Sequence, residues 1–361
     1  MKKQKFTILG MTGSGKTCYL LSMYKQMLPG VESFTLNTDH DTHVDLRNRY
    51  KRMDNASLGS SRFPNPTNQP EIFHFTLEYA LSSVMSFDWI DYPGGLLKEK
   101  GSGNSEQYAK LSSYVKDSGC LFICVDGELL QGYDDNEDKS GLIQDNCSSL
   151  INPFLAAYLH ENKYLPPTVI IVTKWDLCAE YVSDDDLAEI MKDAFSPLFV
   201  KKNDGNLFVT IQPVSLGANI TENNNCGRLV PKNIQIPIFI GIWFSLYELN
   251  FRLTDIIDFK ERRIRFLEQK RSKEQKSFFL FRDDKKIASL TKNANNKKWE
   301  ILKEKEQLEK AIKHSDLLLK QLQSKIKLAY YNGEEYESFS GAAIKYLERR
   351  QRQISSNPRL R

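Results

Sequence analysis

Six cysteines are scattered through the 361 residues, at positions 18, 120, 124, 147, 178 and 226, and no two stand at a CxxC or other metal-ligand spacing. A dense disulfide scaffold and a zinc module are thereby excluded, and such cysteine usage fits a reducing cytoplasm. Cys120 and Cys124, in CLFICVD, read as small hydrophobes of a core strand. Long apolar runs are missing as well. The longest, IPIFIGIWFSLYEL at 236–249, falls short of a bilayer span and carries Pro237 and Glu248. The start, MKKQKFTILGM, is basic, but its apolar stretch breaks at Gly10, too early for a signal peptide. A soluble, cytoplasmic protein is the expectation. Histidine is scarce, and the one close pair, His40 and His43 in DHDTH, has no further clustered ligands, which favours a surface helix over a metal site.

What is present suffices for a buried core, with 40% apolar and 11% aromatic residues. The net charge of +4 conceals an asymmetry. Residues 251–361 hold 28 Lys/Arg against 16 Asp/Glu, so the first 250 residues are net acidic. An acidic front and a basic tail suggest two units with different partners.

Over residues 5–250, short strand-like runs alternate with longer polar or helical segments, the pattern of a mostly parallel α/β sheet. Strands are predicted at KFTILG (5–10), IFHFTLEY (72–79), MSFDWIDY (85–92), CLFICVD (120–126), TVIIVTK (168–174) and LFVTIQPV (207–214), and a helix at 16–28. Residues 30–70 read as one long polar loop ending in RFPNPTNQP, and loops of that length often carry function. From about 251 the texture changes to long charged helices. Leu253, Ile257, Ile264 and Leu267 keep 4-3 spacing with Lys260 at one seam position; Leu308, Ile312, Leu319, Leu322 and Ile326 do so with Lys305 and Ser315 as weak members. A helical hairpin or coiled coil over 251–361 follows, with a disordered basic tail from 351.

Three motifs carry chemistry. Gly10-Met11-Thr12-Gly13-Ser14-Gly15-Lys16-Thr17 matches GxxxxGK[ST], directly after a strand and opening a helix. Its backbone turns aim N–H groups at phosphate oxygens, and the helix N-terminus adds partial positive charge. Gly10, Gly13, Ser14, Gly15 and Cys18 join this phosphate-binding set. Lys16 is placed to contact the β- and γ-phosphates and Thr17 to ligate Mg²⁺. In FDWIDYPGG, Asp91 and Gly94 form DxxG at a strand end, where a carboxylate can hold Mg²⁺ through water and the glycine N–H can sense a γ-phosphate. Asp88, three residues earlier, falls on the opposite sheet face. In VTKWD, Asp176 can accept from guanine N1–H and N2–H₂, a donor pair adenine lacks, while Lys174 lays its stem along the base.

The order of these elements resembles a TRAFAC-class P-loop GTPase over about residues 5–250. More narrowly, GSGKTCYLLSMY, RFPNPT and DYPGG are similar to the double-GTPase proteins of bacterial conflict systems. The resemblance implies a GTP/GDP- and Mg²⁺-binding domain over 1–250, with Thr173 standing where NKxD has asparagine. It places Ser215 and Leu216 of PVSLG at the loop whose backbone meets the guanine carbonyl. It makes Thr67 the switch threonine that closes over Mg²⁺ and γ-phosphate, with Thr38 and Thr42 as alternatives. One departure stands out: Gly95 occupies the place of a water-orienting glutamine, so turnover would be slow alone or need a group from a partner. Arg49, Arg52 and Arg62 lie in the switch segment, where surface charge is the plainer reading of each.

The expectation is a hydrolysing GTP switch whose helical extension couples nucleotide state to a protein partner or a second copy. The alternatives are a non-hydrolysing recruitment module and a dynamin-like, self-assembling GTPase that touches membranes through FFLF at 278–281. Basic helices alone are poor evidence for nucleic-acid binding.

Overall fold

Runs of consecutive apolar residues make strands covered on both faces, and the centre of this sheet is built from two of them. In the computed structural model, which describes residues 4–94, 105–132, 138–201, 205–218, 220, 226–276 and 283–356, CLFICVD is β5 (Cys120–Asp126) and TVIIVT is β6 (Thr168–Thr173), nearly every residue buried. The other strands are β1 (Gln4–Gly10), β2 (Phe34–Asn37), β3 (Glu71–Tyr79), β4 (Ser82–Asp91), β7 (Phe208–Pro213), β8 (Leu328–Tyr331) and β9 (Glu334–Tyr336). They form one nine-stranded sheet in the order β2-β3-β4-β1-β5-β6-β7-β8-β9. The five strands from β4 to β7 in that order are parallel, and each end carries an antiparallel pair.

The helices are α1 (Lys16–Met27), α2 (His40–Asp54), α3 (Ser105–Asp117), α4 (Lys139–Ile143), α5 (Ser149–Asn162), α6 (Asp184–Ala194), α7 (Gln235–Gln275), α8 (Asp284–Gln323) and α9 (Phe339–Ser356). Capping marks the starts of two: Asp39 accepts from Thr42 N at α2, and Ser183 and Asp186 exchange bonds in a capping box at α6. One sheet face packs Leu121, Ile123, Val125 and Ile170 against Ile143, Leu155, Leu187 and Met191. On the other, Phe6, Trp89 and Phe122 pack together with Tyr19 of α1, and Gly241 of α7 lets that helix approach Phe122 and Cys120 closely.

Six expected strands and the first helix are present, and the α/β fold with long C-terminal helices stands as read. Four expectations change. Residues 30–70 are not a single loop but β2, α2 and a 3₁₀ turn at Ala56–Arg62. The division at 250 gives way to two compact units, Met1–Phe244 with Leu318–Arg361, and Ser245–Leu317. The end of the chain returns to the first unit because β8 adds to β7, where Tyr330 and Tyr346 are buried and the Tyr346 hydroxyl donates to Leu165 O (2.8 Å). Residues 351–356 are helical rather than disordered, and 357–361 lie outside the described residues, as does FFLF.

The second unit is the hairpin of α7 and α8. Leu253, Ile257, Ile264 and Leu267 are buried as expected, and Lys260 at their seam is held by Glu300 (2.8 Å) and Glu304 (2.6 Å). The α8 seam holds in part: Ser315, Leu322 and Ile326 are buried and Leu308 packs against Ile257, Ile264 and Ile301, but Ile312 is 43% exposed, and Leu290, Ala294, Ile301 and Ala311 are buried as well. Small Ala311 weighs little in a hydrophobicity count, and Ser315 satisfies its hydroxyl on Ile312 O (2.8 Å).

These assignments separate by mutation. Tyr346→Ala should cost about 3–5 kcal/mol in urea unfolding, as for a buried aromatic, and Ile312→Ala under about 0.5 kcal/mol. Equal small effects would return 318–361 to the status of a dispensable tail.

Candidate functional site

The carboxyl ends of β1, β4, β5 and β6 meet on one side of the sheet, in the register Ile8↔Asp91, Gly10↔Cys124 and Asp126↔Thr173. Between β1 and α1 the chain turns sharply. Gly15, the residue capping α1, sits at φ 87°, a left-handed backbone that glycine adopts without steric cost. Lys16 is 6% exposed and donates to Gly10 O (2.8 Å) and Met11 O (2.9 Å), and the Ser14 hydroxyl also donates to Met11 O (2.8 Å). Two neighbours hold the turn from the sheet side. The Cys124 thiol donates to Ser14 O (2.9 Å), and the Thr173 hydroxyl reaches the same carbonyl at 2.9 Å. Burial pushes the Cys124 thiol up to about 12, so it stays a neutral donor.

Asp91 is wholly buried at the end of β4. Its Oδ2 accepts from the Thr17 hydroxyl (3.1 Å), while Oδ1 has no hydrogen-bond partner. Burial raises its carboxyl from 3.8 to about 6, against the pull of Lys16 and the Thr17 bond. A buried carboxylate oxygen without a donor, beside a threonine hydroxyl, is the donor set of a hard divalent cation, and Mg²⁺ fits it. Asp88 is placed elsewhere, on His74 Nδ1 (2.6 Å). Three residues after Asp91, Gly94 lies so close to the phosphate-binding turn that any Cβ there would collide with Thr12 N and Gly10 O. Gly95 lies outside the described residues.

At the far end of the cavity, Lys174 and Asp176 follow β6. Lys174 adopts a left-handed backbone (φ 50°) and bonds Asp126 Oδ2 (2.8 Å) and Glu128 Oε2 (2.7 Å). Burial opposes its charge, but the two carboxylates outweigh that and raise its pKa. The Asp176 carboxyl is raised by burial, with Ser215 and Lys232 pulling it back. Ser215 is fixed by paired backbone bonds with Lys232, and Leu216 O accepts from Val230 N (2.7 Å).

One cavity of about 390 Å³ gathers this set: Gly13, Gly15, Lys16, Thr17, Cys18, Gly94, Lys174, Asp176, Ser215 and Leu216 all line it. Thr67 lines it too, on a strap of residues 63–67. The alternatives do not: the Thr38 hydroxyl donates to His74 O (2.6 Å), and Thr42 belongs to the first turn of α2. Gly10 and Ser14 shape the turn from behind. Burial holds the Cys18 thiol up at about 12, which makes it wall rather than nucleophile. His40 and His43 lie on α2, with His43 Nδ1 on the Tyr24 hydroxyl (2.7 Å), and no metal-binding cluster occurs among the described residues.

Sequence reasoning missed the supports. Thr173 was visible as the first residue of TKWD, yet nothing marked its hydroxyl as the tether of the phosphate-binding turn. Asp126 and Glu128, which aim Lys174, belong to no motif; their one signal was an acidic pair just past a buried strand.

The family model described as Double-GTPase 2 matches residues 6–233. No curated protein matches the chain.

The raised Asp91 carboxyl makes a test of sign. The fold binds its proton more tightly than the unfolded chain does, so ligand-free stability falls as pH rises from about 4 through about 6 and stays lower above. Asp91→Asn should therefore stabilise the ligand-free protein by up to about 3 kcal/mol at pH 7.5 and by almost nothing at pH 4, read by urea unfolding. A gain equal at both pH values would show that charge burial is not its source.

Proposed function

The chain belongs to the Double-GTPase 2 family and is a GTPase-type nucleotide-binding switch; on that premise we propose that it binds GTP with Mg²⁺ and hydrolyses it, in the cavity where Lys16, Asp91 and Asp176 converge. That convergence carries the reading, because the groups assigned to phosphate, cation and base are far apart in sequence and line or border one cavity. Lys16 exchanges two backbone carbonyls for the β- and γ-phosphates. Thr17 and Asp91 hold Mg²⁺, with Thr67 closing from the strap. When bound, the ion neutralises charge on the phosphate oxygens. Asp176 accepts from guanine N1–H and N2–H₂, Lys174 backs the base from its seat on Asp126 and Glu128, and the Ser215–Leu216 backbone meets the guanine carbonyl.

Gly94 is the sensing group. Its N–H meets the γ-phosphate, and its close approach to the turn makes the spacing between β4 and the turn depend on what lies between them. The chemical step is in-line attack by water at the γ-phosphorus, releasing GDP. The hairpin unit is the part we assign to a protein partner or second copy; Phe259, Phe266 and Trp299 on its surface, all at least half exposed, support that assignment.

Two variants test the site separately. Lys16→Ala should lower kcat/KM for GTP by about 100-fold or more, the scale of losing a charged phosphate contact. Asp176→Asn should cut the preference for GTP over ATP by about 100-fold in competition binding, because a base donor is left without its acceptor. An unchanged preference would remove Asp176 from base reading.

A further inference from the structure

A second cavity, about 510 Å³, is lined by Arg49, Arg52 and Arg62, and it lies across the strap from the nucleotide cavity: Phe63, Pro64, Asn65, Pro66 and Thr67 line both. The three guanidiniums are held in different ways. Arg62 is buried and donates to the carbonyls of Met53 and Gly227, and Arg52 donates twice to Ser61 O (3.1 and 2.8 Å). Both are built into the backbone of the switch segment. Arg49 instead faces side-chain carboxylates. Its two terminal nitrogens lie 3.4 Å from Glu71 Oε2, and one lies 3.4 Å from Asp45.

Those separations are long for charge-assisted bonds, which close to about 2.7–2.9 Å. The pair is partly exposed, Arg49 25% and Glu71 39%, which weakens it, and the guanidinium also lies over the Phe73 ring at 6.0 Å. Its position matters more than its strength. Glu71 is the residue directly opposite Asp91 on the β3–β4 ladder, at the cation end of the nucleotide cavity. The backbone that carries Arg49 is anchored: α2 buries Leu46 and Met53, and His43 is bonded to Tyr24 of α1.

We propose that Arg49 is the arginine, supplied by this chain itself, that leaves Glu71 for the γ-phosphate of bound GTP and stabilises the charge on the transferring phosphoryl group. The inference rests on the hydrolysis reading above. In the step, the water oxygen bonds to the γ-phosphorus as its bond to the bridging oxygen breaks, and the bond pair leaves on the β-phosphate of GDP. One water proton ends on inorganic phosphate and the other is released to solvent. Arg49 transfers no proton; its planar fork matches two phosphate oxygens, as it matches a carboxylate. Glu71 is the resting partner, holding the guanidinium while no γ-phosphate is present.

The experiment measures GTP turnover and Mg²⁺·GDP affinity on the full chain. Arg49→Ala should lower kcat by about 100-fold or more while GDP affinity changes by less than about three-fold, since GDP lacks the group Arg49 meets. Arg49→Lys should fail to restore the rate, and Glu71→Gln should raise it, because the guanidinium is released. Arg52→Ala, the control, should stay within about two-fold of the wild type. A purely structural ion pair predicts the opposite pattern, with Arg49→Ala and Glu71→Gln losing rate and melting temperature together. That pattern, or an Arg49→Ala rate within about three-fold of wild type, overturns the assignment. A wild-type chain that binds GTP and never turns it over overturns the hydrolysis reading, and Arg49 with it; turnover by the wild type is what tells the two failures apart.

Discussion

The turn between β1 and α1 presents more backbone carbonyls than it can satisfy itself, and the site is organised around how they are met. Gly10 O and Met11 O take the Lys16 ammonium, and Ser14 O takes the Cys124 thiol and the Thr173 hydroxyl. The two groups differ in what an arriving anion can change. A lysine can trade carbonyls for phosphate oxygens, because a bond between full charges is stronger than one to a neutral acceptor. The bonds to Ser14 O come from neutral donors on buried strands and have no reason to move. The turn can therefore keep its shape if its lysine changes partners. Because Cys124 and Thr173 belong to β5 and β6, the same bonds tie the turn to both strands.

A second constraint is charge without compensation. Asp91 is buried with one oxygen lacking a partner, an arrangement that costs stability in the absence of a cation. Lys16 offsets part of that cost and Arg49 a smaller part. Both cations are held by replaceable partners, backbone carbonyls in one case and a distant carboxylate in the other. Strain of this kind belongs at a binding site, where the ligand relieves what the empty fold tolerates.

Much of this was legible in the sequence, and the illegible parts share causes. The motifs GMTGSGKT, DYPG and TKWD are legible because each directly follows a strand, at the side of the sheet where the cavity opens. Strands buried on both faces, such as CLFICVD, announce themselves by unbroken apolarity. What escaped notice was short or dependent on distant partners. The four-residue β2 has no period to detect. The β8–β9 hairpin is turned by Asn332-Gly333, both at positive φ, a dipeptide that signals a tight hairpin on its own. It was hidden among charged helices whose texture suggested more of the same. The α8 seam was wrong at Ile312, which is exposed, while the neighbouring buried Ala311 was passed over for its small side chain.

The basic region over residues 251–361 shows how little composition says about where charge is placed. Its surplus positive charge is not carried by a single appended tail, since residues from 318 onward complete the sheet of the first unit. Within the hairpin several cations are answered across the two helices: Lys260 by Glu300 and Glu304, Lys286 by Glu274, Lys298 by Glu268 and Lys305 by Glu261. Exposed pairs of this sort contribute only about 0–1 kcal/mol each. They do, however, set which helix faces which, since each lysine would otherwise oppose a like charge. The charge pattern of these helices is thus first a device for pairing α7 with α8 in register.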